Sequence, residues 1–208
     1  MRVARILYPV TVLGPGRRIA VWVAGCKKRC KGCANPELWE NGDFPEIELS
    51  ALKRAIDGLM EKANYEVDGI TISGGEPFDQ PEELLDFVEY LNEKTEDILI
   101  FSGHKKVGLE QQEVSRRVLE KIAILVDGEY IEEENKGEVL RGSANQGIHI
   151  LKETFRERYD TYLKDNEGKL LVENFRVSDG VIAVGIHKKD FKDSLERVLR
   201  KKKIIKER

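Results

Sequence analysis

Short apolar runs alternate along this chain with stretches of helical periodicity, and that alternation constrains its fold more than any other feature. The runs are Ile19–Ala24, Ile70–Ser73, Ile98–Phe101 and Ile122–Val126. Uninterrupted apolar runs of this length read as strands buried on both faces, the signature of a parallel sheet covered by helices. Between them, Leu49, Leu52, Ile56, Leu59 and Ala63 recur on one helical face, as do Leu84, Leu85, Val88 and Leu91. Pro81 suits the first turn of the second helix, and a third helix is expected over Leu109–Lys121. Strand–helix alternation predicts right-handed βα units in an α/β fold. The units are too few to close an eight-stranded barrel, which takes about 250 residues. The expected architecture is therefore an incomplete parallel (βα) barrel over residues 1–155 of this 208-residue chain.

The composition changes after Leu151. The stretch Arg156–Gly168 is strongly charged, and the runs Leu170–Val177 and Val181–Ile186 read as two strands joined by a turn at Ser178-Asp179-Gly180. Phe191, Leu195, Val198 and Leu199 mark one face of a last helix, whose basic run Arg197–Lys203 is read as a solvated surface. Residues 156–208 are thus expected to form a small C-terminal α+β extension. A net charge of −3 gives no basis for nucleic-acid or membrane-surface affinity. The start lacks a secretory pattern, and no apolar run approaches the ~20 residues that span a bilayer. A cytoplasmic protein is expected.

All three cysteines, Cys26, Cys30 and Cys33, fall within eight residues in a C-x3-C-x2-C spacing. An odd, tightly spaced set is not a disulfide framework, and clustered thiols in a reducing compartment more often bind metal. Ferredoxin clusters and structural zinc sites both use four protein ligands. No fourth cysteine exists here. Three thiolates on a four-iron cube leave one iron open; a zinc site completed by His104, His149 or His187, or a chance grouping, stays as the alternative. The neighbouring Lys27, Lys28, Arg29 and Lys31 read equally as a solvated loop or as an attractor for an acidic electron donor. A second motif, Gly74-Gly75-Glu76-Pro77, follows the second apolar run. Its glycines let backbone approach a ligand closely, and its carboxylate can meet an ammonium group.

The cysteine triad followed one βα unit later by Gly-Gly-Glu-Pro resembles the radical S-adenosylmethionine superfamily. Further segments narrow the resemblance. Tyr8-Pro9-Val10, Gly14-Pro15-Gly16, Gly25 through Asn35, Trp39, Val126-Asp127-Gly128 and Arg141-Gly142-Ser143-Ala144-Asn145-Gln146 look like the activating enzymes of anaerobic ribonucleotide reductase, in the same order. Gly32, before the third cysteine, fits that group; Ala34 departs from it, since the group often has tyrosine there. The extension has no counterpart in the shortest relatives.

The resemblance implies that Cys26, Cys30 and Cys33 carry a [4Fe-4S] cluster and that Gly74, Gly75, Glu76 and Pro77 hold the methionyl amine of S-adenosyl-L-methionine. It places Ser102 and Gly103 beside the methionyl group, and Ser143 and Asn145 at the ribose or carboxylate. Read alone, these last four are a small-residue turn and a capped turn. Asp127 reads as the end of a strand, Trp22 and Trp39 as core, and His104 as a loop residue. The implied reaction is reductive cleavage of adenosylmethionine, followed by hydrogen abstraction from a glycine Cα of a partner glycyl-radical protein, in particular anaerobic ribonucleotide reductase. A flavodoxin- or ferredoxin-type donor would supply the electron, and the partner would seal the open side of the barrel. Other readings are a radical enzyme acting on a small molecule or peptide, and a non-catalytic metal-binding regulatory module.

Overall fold

The computed structural model describes residues 1–40, 42, 44–169, 171–177, 180–188, 191 and 197. One six-stranded sheet holds β1 (Val3–Val10), β2 (Arg18–Val23), β3 (Gly69–Gly74), β4 (Ile98–Ser102), β5 (Ile124–Asp127) and β6 (Gly147–Ile150), ordered as they occur in the chain. Strands β2 to β5 are parallel, and β1 and β6 run antiparallel at the two edges. The four parallel strands are the four apolar runs, each shifted by two residues or fewer. Both edge strands went unread in the sequence because edges are half-covered: β6 buries no residue fully, and β1 carries a mixed polar pattern.

Helices α1 (Leu49–Lys62) and α2 (Pro81–Asn92) occupy the first two crossovers. The expected single helix over Leu109–Lys121 is instead two, α3 (Lys106–Glu110) and α4 (Glu113–Lys121). Gln112 between them is extended, and the break lets Leu109 and Val118 reach the same core. That core packs Leu52, Ile56, Leu84, Val88 and Val118 against Ile19, Val21, Ile70, Ile72, Ile98 and Ile100, so α1, α2 and α4 share one face of the sheet. Each such side chain contributes roughly 1.5–3 kcal/mol on burial.

The opposite face is covered by the chain's own C-terminal part. Helix α5 (Arg156–Asp165) lays Tyr159, Tyr162 and Leu163 against Leu99, Ile124 and Val126. A hairpin of β7 (Val172–Val177) and β8 (Gly180–Gly185) packs Phe175, Ile182 and Val184 against Trp22, Val10, Leu13 and Phe101. The expectation that this side stays open for a partner is therefore not what the fold presents. Helix α5 was hidden by its charged residues, although its tyrosines and leucine keep i, i+3, i+4 spacing. Ser178, Asp179, Leu170, Leu195, Val198, Leu199 and Arg197–Lys203 apart from Arg197 lie outside the described residues, and with them the expected turn and last helix.

One buried polar cluster fastens the N-terminal ends of the strands. The Arg18 guanidinium, fully buried, donates to Thr71 Oγ1 at 2.7 Å, to the Ile70 and Asp97 carbonyls at 2.9 and 3.1 Å, and to Asp97 Oδ1 at 3.0 Å. Tyr159 Oη donates to the same Asp97 Oδ1 at 2.6 Å, tying α5 to the sheet.

Candidate active site

The site lies at the other end of the strands, where β2, β3, β4 and β5 deliver their C-terminal residues to one cavity of about 230 Å³. Cys26, Cys30, Cys33, Gly74, Gly75, Glu76, Ser102 and Gly103 all line it. Loops placed after parallel strands gather in this way because every strand ends on the same side.

The two glycines serve a closer purpose than ligand approach. Gly75 N–H donates to the Val23 carbonyl at 2.8 Å and Glu76 N–H to the Gly25 carbonyl at 2.7 Å, which carries the β2–β3 pairing into the cysteine loop. A Cβ at Gly75 would overlap the Gly25 carbonyl, and one at Gly74, where φ is +111°, would overlap the Val23 backbone. Only glycine lets the two loops lie edge to edge. The motif thereby fixes the cysteine loop against the strand that carries Glu76.

Glu76 is 1% exposed. Its Oε1 accepts from Phe78 N–H at 3.0 Å and Ser102 Oγ at 2.9 Å, and its Oε2 accepts from Gly103 N–H at 2.7 Å. A carboxylate offers about four acceptor positions, so one remains for a ligand donor. Burial pushes its pKa above the ordinary carboxylate value, against the opposing pull of these donors and of His104. An ammonium beside it would hold it ionised. Ser102 and Gly103 thus act on the carboxylate directly while also facing the cavity. Pro77 is buried and opens a short 3-10 turn whose cap is the Glu76 side chain; it does not line the cavity.

The three thiols are half-buried, and no disulfide joins them. Burial raises Cys26 and Cys30 above the ordinary thiol value, with backbone N–H groups of Lys28 and Arg29 acting the other way on Cys26 and that of Tyr130 on Cys30. Asn35 N–H points at Cys33 Sγ at 3.4 Å. Backbone donors to every sulfur suit an anionic iron–sulfur cluster, whose potential such hydrogen bonds tune. Among the described residues no three His, Cys, Asp or Glu side chains converge as the ligands of one metal ion. The residues present fit the [4Fe-4S] group: three thiols, amide donors, and an adjoining cavity with a carboxylate.

The cationic loop is largely answered from within the chain. Lys28 pairs with Glu129 at 3.0 Å, Lys31 with Glu133 at 3.2 Å and Glu132 at 3.6 Å, and Arg29 with Glu40. Ser143 and Asn145 do not line the cavity. Ser143 Oγ accepts from Ile131 N–H at 3.1 Å and Asn145 donates to the Glu129 carbonyl at 2.8 Å, so both shape the acidic loop that meets the cationic one. Their neighbours Gly142 and Gln146 do reach the cavity. Gln146 Nε2 holds the Gly128 carbonyl at 2.7 Å. Asp127 ends β5 as expected, accepting from Lys106 and Gly147 N–H. Burial pushes its pKa up, and the Lys106 N–H, His149 and Lys105 together outweigh that and hold it below the ordinary carboxylate value. His104 sits 3.3 Å from Asp79, whose carboxylate also faces Lys27 N–H. Trp22 and Trp39 both border the cavity, and Trp22 is core as well. Tyr130 and the segment from Ile182 to Lys188 also stand on the cavity wall; the sequence offered Tyr130 no role, and the segment only as part of a strand and, at His187, as an alternative zinc ligand.

Residues 12–149 match the family model of the 4Fe-4S single cluster domain. The chain is 34% identical over 151 residues to the anaerobic ribonucleoside-triphosphate reductase-activating protein of Haemophilus influenzae, a match spanning 70% of this chain and 96% of that protein. It is 33% identical over 149 residues to the protein of the same name from Vibrio cholerae, covering 68% of this chain and 94% of the relative. The Escherichia coli protein of that name is 29% identical over 153 residues, at 70% and 96% coverage. The relatives are matched almost end to end, and the family model stops short of α5 and the hairpin.

Proposed function

This chain belongs to the family of anaerobic ribonucleoside-triphosphate reductase-activating proteins, and from that premise we propose that it is a radical S-adenosylmethionine enzyme that installs a glycyl radical on an anaerobic ribonucleotide reductase. The observation that carries the reading is the meeting of Cys26, Cys30 and Cys33 with the buried Glu76 carboxylate in one cavity. When bound, the cluster supplies an electron that breaks the C5′–S bond of adenosylmethionine, and the resulting deoxyadenosyl radical takes a hydrogen atom from a glycine Cα. The chain's own residues do the positioning. Cys26, Cys30 and Cys33 would hold the cluster through their thiolates, beside the cavity that would take the ligand's amino-acid end. Glu76, oriented by Phe78, Ser102 and Gly103, takes the ammonium of that end. Gly74 and Gly75 set the distance between the two by locking their loops together.

In this reading Pro77 supports the motif from beneath, and Ser143 and Asn145 order the loop beside the ribose side of the ligand. The sheet is read as an incomplete (βα) barrel over residues 1–155, supported by its sequential strand order and by helices gathered on one face. Residues 156–208 are the extension, joined to it through Tyr159. A flavodoxin- or ferredoxin-type donor reduces the cluster from the cationic cysteine loop, in the cytoplasm. No described helix is long and apolar enough to cross a membrane.

The test mixes reduced, cluster-loaded protein, adenosylmethionine and the reductase without oxygen. A glycyl doublet in the partner's electron paramagnetic resonance spectrum, lost when its radical-site glycine becomes alanine, is expected. A second reading, radical modification of a small molecule or peptide, is favoured by one observation: the hairpin covers the sheet face on which a large partner would otherwise dock. Turnover of a small molecule with no partner radical would select it.

A further inference from the structure

The cavity has two unlike sides. Its polar corner is built from strand ends that carry the cysteines, Glu76, Ser102 and Gly103. Its far wall is built by the C-terminal extension, from Ile182 to Lys188 together with Phe191. Along β8 the pleat turns alternate residues inward. Val184 is 3% exposed and Ile182 and Ile186 pack with it against Trp22 and Phe101, whereas Val181 is 66% exposed. The rings of His187 and Phe191 stack with centroids 4.1 Å apart and planes 14° from parallel. The segment is fastened from outside the extension. Asn135 Nδ2 donates to the His187 carbonyl at 2.8 Å, and Thr11 N–H donates to Glu173 of β7 at 3.0 Å. This wall lies beyond the stretch matched by the family model.

An adenosylmethionine whose ammonium rests on Glu76 must extend its other half away from that corner. That half is a nucleoside, with a flat purine whose faces are apolar. We infer that the extension supplies the nucleoside-facing wall of the site, with the Phe191–His187 ring pair as the stacking surface and Ile182 and Ile186 as the apolar contact that keeps water from the ribose. The inference rests on the functional reading above and adds to it a set of binding residues from outside the core. The core holds the methionyl end, and the extension holds the nucleoside end.

Two probes separate the ends: 5′-deoxyadenosine on the cluster-free chain, and adenosylmethionine on the chain carrying an oxidised cluster. Both of the chain's tryptophans, Trp22 and Trp39, border the cavity, so their fluorescence reports binding without turnover. Phe191→Ala is expected to weaken both probes by a similar factor of about tenfold, the scale of one aromatic–base stack. Ile186→Ala is expected to weaken both by less. Val181→Asp, on the outer face of β8, leaves both unchanged, and Glu76→Ala weakens adenosylmethionine alone. Hydrogen exchange in β2 to β5, unchanged in the variants, shows that the sheet still folds. Wild-type affinity for 5′-deoxyadenosine in both Phe191→Ala and Ile186→Ala would overturn the assignment, as would loss of both probes in Glu76→Ala. Failure of the functional reading looks different: the reduced, cluster-loaded protein would not cleave adenosylmethionine at all.

Discussion

The two ends of the parallel strands each bury a carboxylate, and they treat it in opposite ways. At the N-terminal end Asp97 meets Arg18, Tyr159 and, at 3.5 Å, Arg158, so its charge is answered by side chains of the same molecule. At the C-terminal end Glu76 is answered by two backbone amides and a hydroxyl, and among the described residues no cation is in hydrogen-bond contact with it. The first arrangement is charge-balanced by side chains of the fold, although Asp97 Oδ2 accepts no hydrogen bond. The second keeps a buried charge waiting for a cation, which is how binding free energy is directed at one group. Burial of a charge alone does not mark a site; what matters is whether the fold has already neutralised it.

Removing the metal ligands draws the sharpest contrast between the ends. Serine in place of Cys26, Cys30 or Cys33 should abolish the cluster's visible absorption and all adenosylmethionine cleavage. The half-exposed positions should change the unfolding free energy of the cluster-free chain by no more than about 0.5 kcal/mol. Asp97→Asn should do the reverse. It leaves Arg18 buried without its counter-charge, at a cost of about 3–5 kcal/mol in urea unfolding, while the cluster spectrum of the folded fraction stays unchanged. If Asp97→Asn instead loses the cluster at full stability, the division of labour between the ends is wrong.

Intermediate effects belong to the hydroxyl and to the waiting carboxylate. Tyr159→Phe removes one donor to Asp97 and should cost about 1–3 kcal/mol by the same measurement. Glu76→Gln should weaken adenosylmethionine binding by roughly tenfold or more, since a charge-assisted contact is worth about 1.5–3 kcal/mol. The raised pKa of Glu76 gives that prediction a pH signature. A carboxyl whose folded pKa lies above its unfolded one favours folding below the unfolded value and loses that advantage as pH rises through the folded pKa. Ligand affinity needs the ionised form and should rise over the same window, above the ordinary value of 4.5. Isothermal titration across that range should show the slope in the wild type and its absence in Glu76→Gln. The smallest effect is expected of Lys28→Gln, which breaks the pair with the 57%-exposed Glu129 carboxylate and should change stability by about 0–1 kcal/mol. A larger loss would mean that the cationic and acidic loops hold the site together.

The sequence by itself determined what depends on local pattern. The four inner strands were legible because a strand covered on both faces must be apolar throughout, and α1 and α2 because one apolar stripe recurs at helical spacing. The cysteine triad and Glu76 were legible because metal and ammonium binding require those chemical groups at short range. Tertiary structure decided the remainder. Gly74 and Gly75 proved to be a backbone contact with Val23 and Gly25, residues some fifty positions away that only the sheet brings near. Ser143 and Asn145 were drawn into shaping a loop, leaving Gly142 and Gln146 on the wall. Nothing local in Ile182, Ile186 or Phe191 separates a cavity wall from an ordinary core. Their place depends on β8 lying over Trp22 and Phe101, a pairing across more than eighty residues set by the packing of two surfaces rather than by either segment's own pattern.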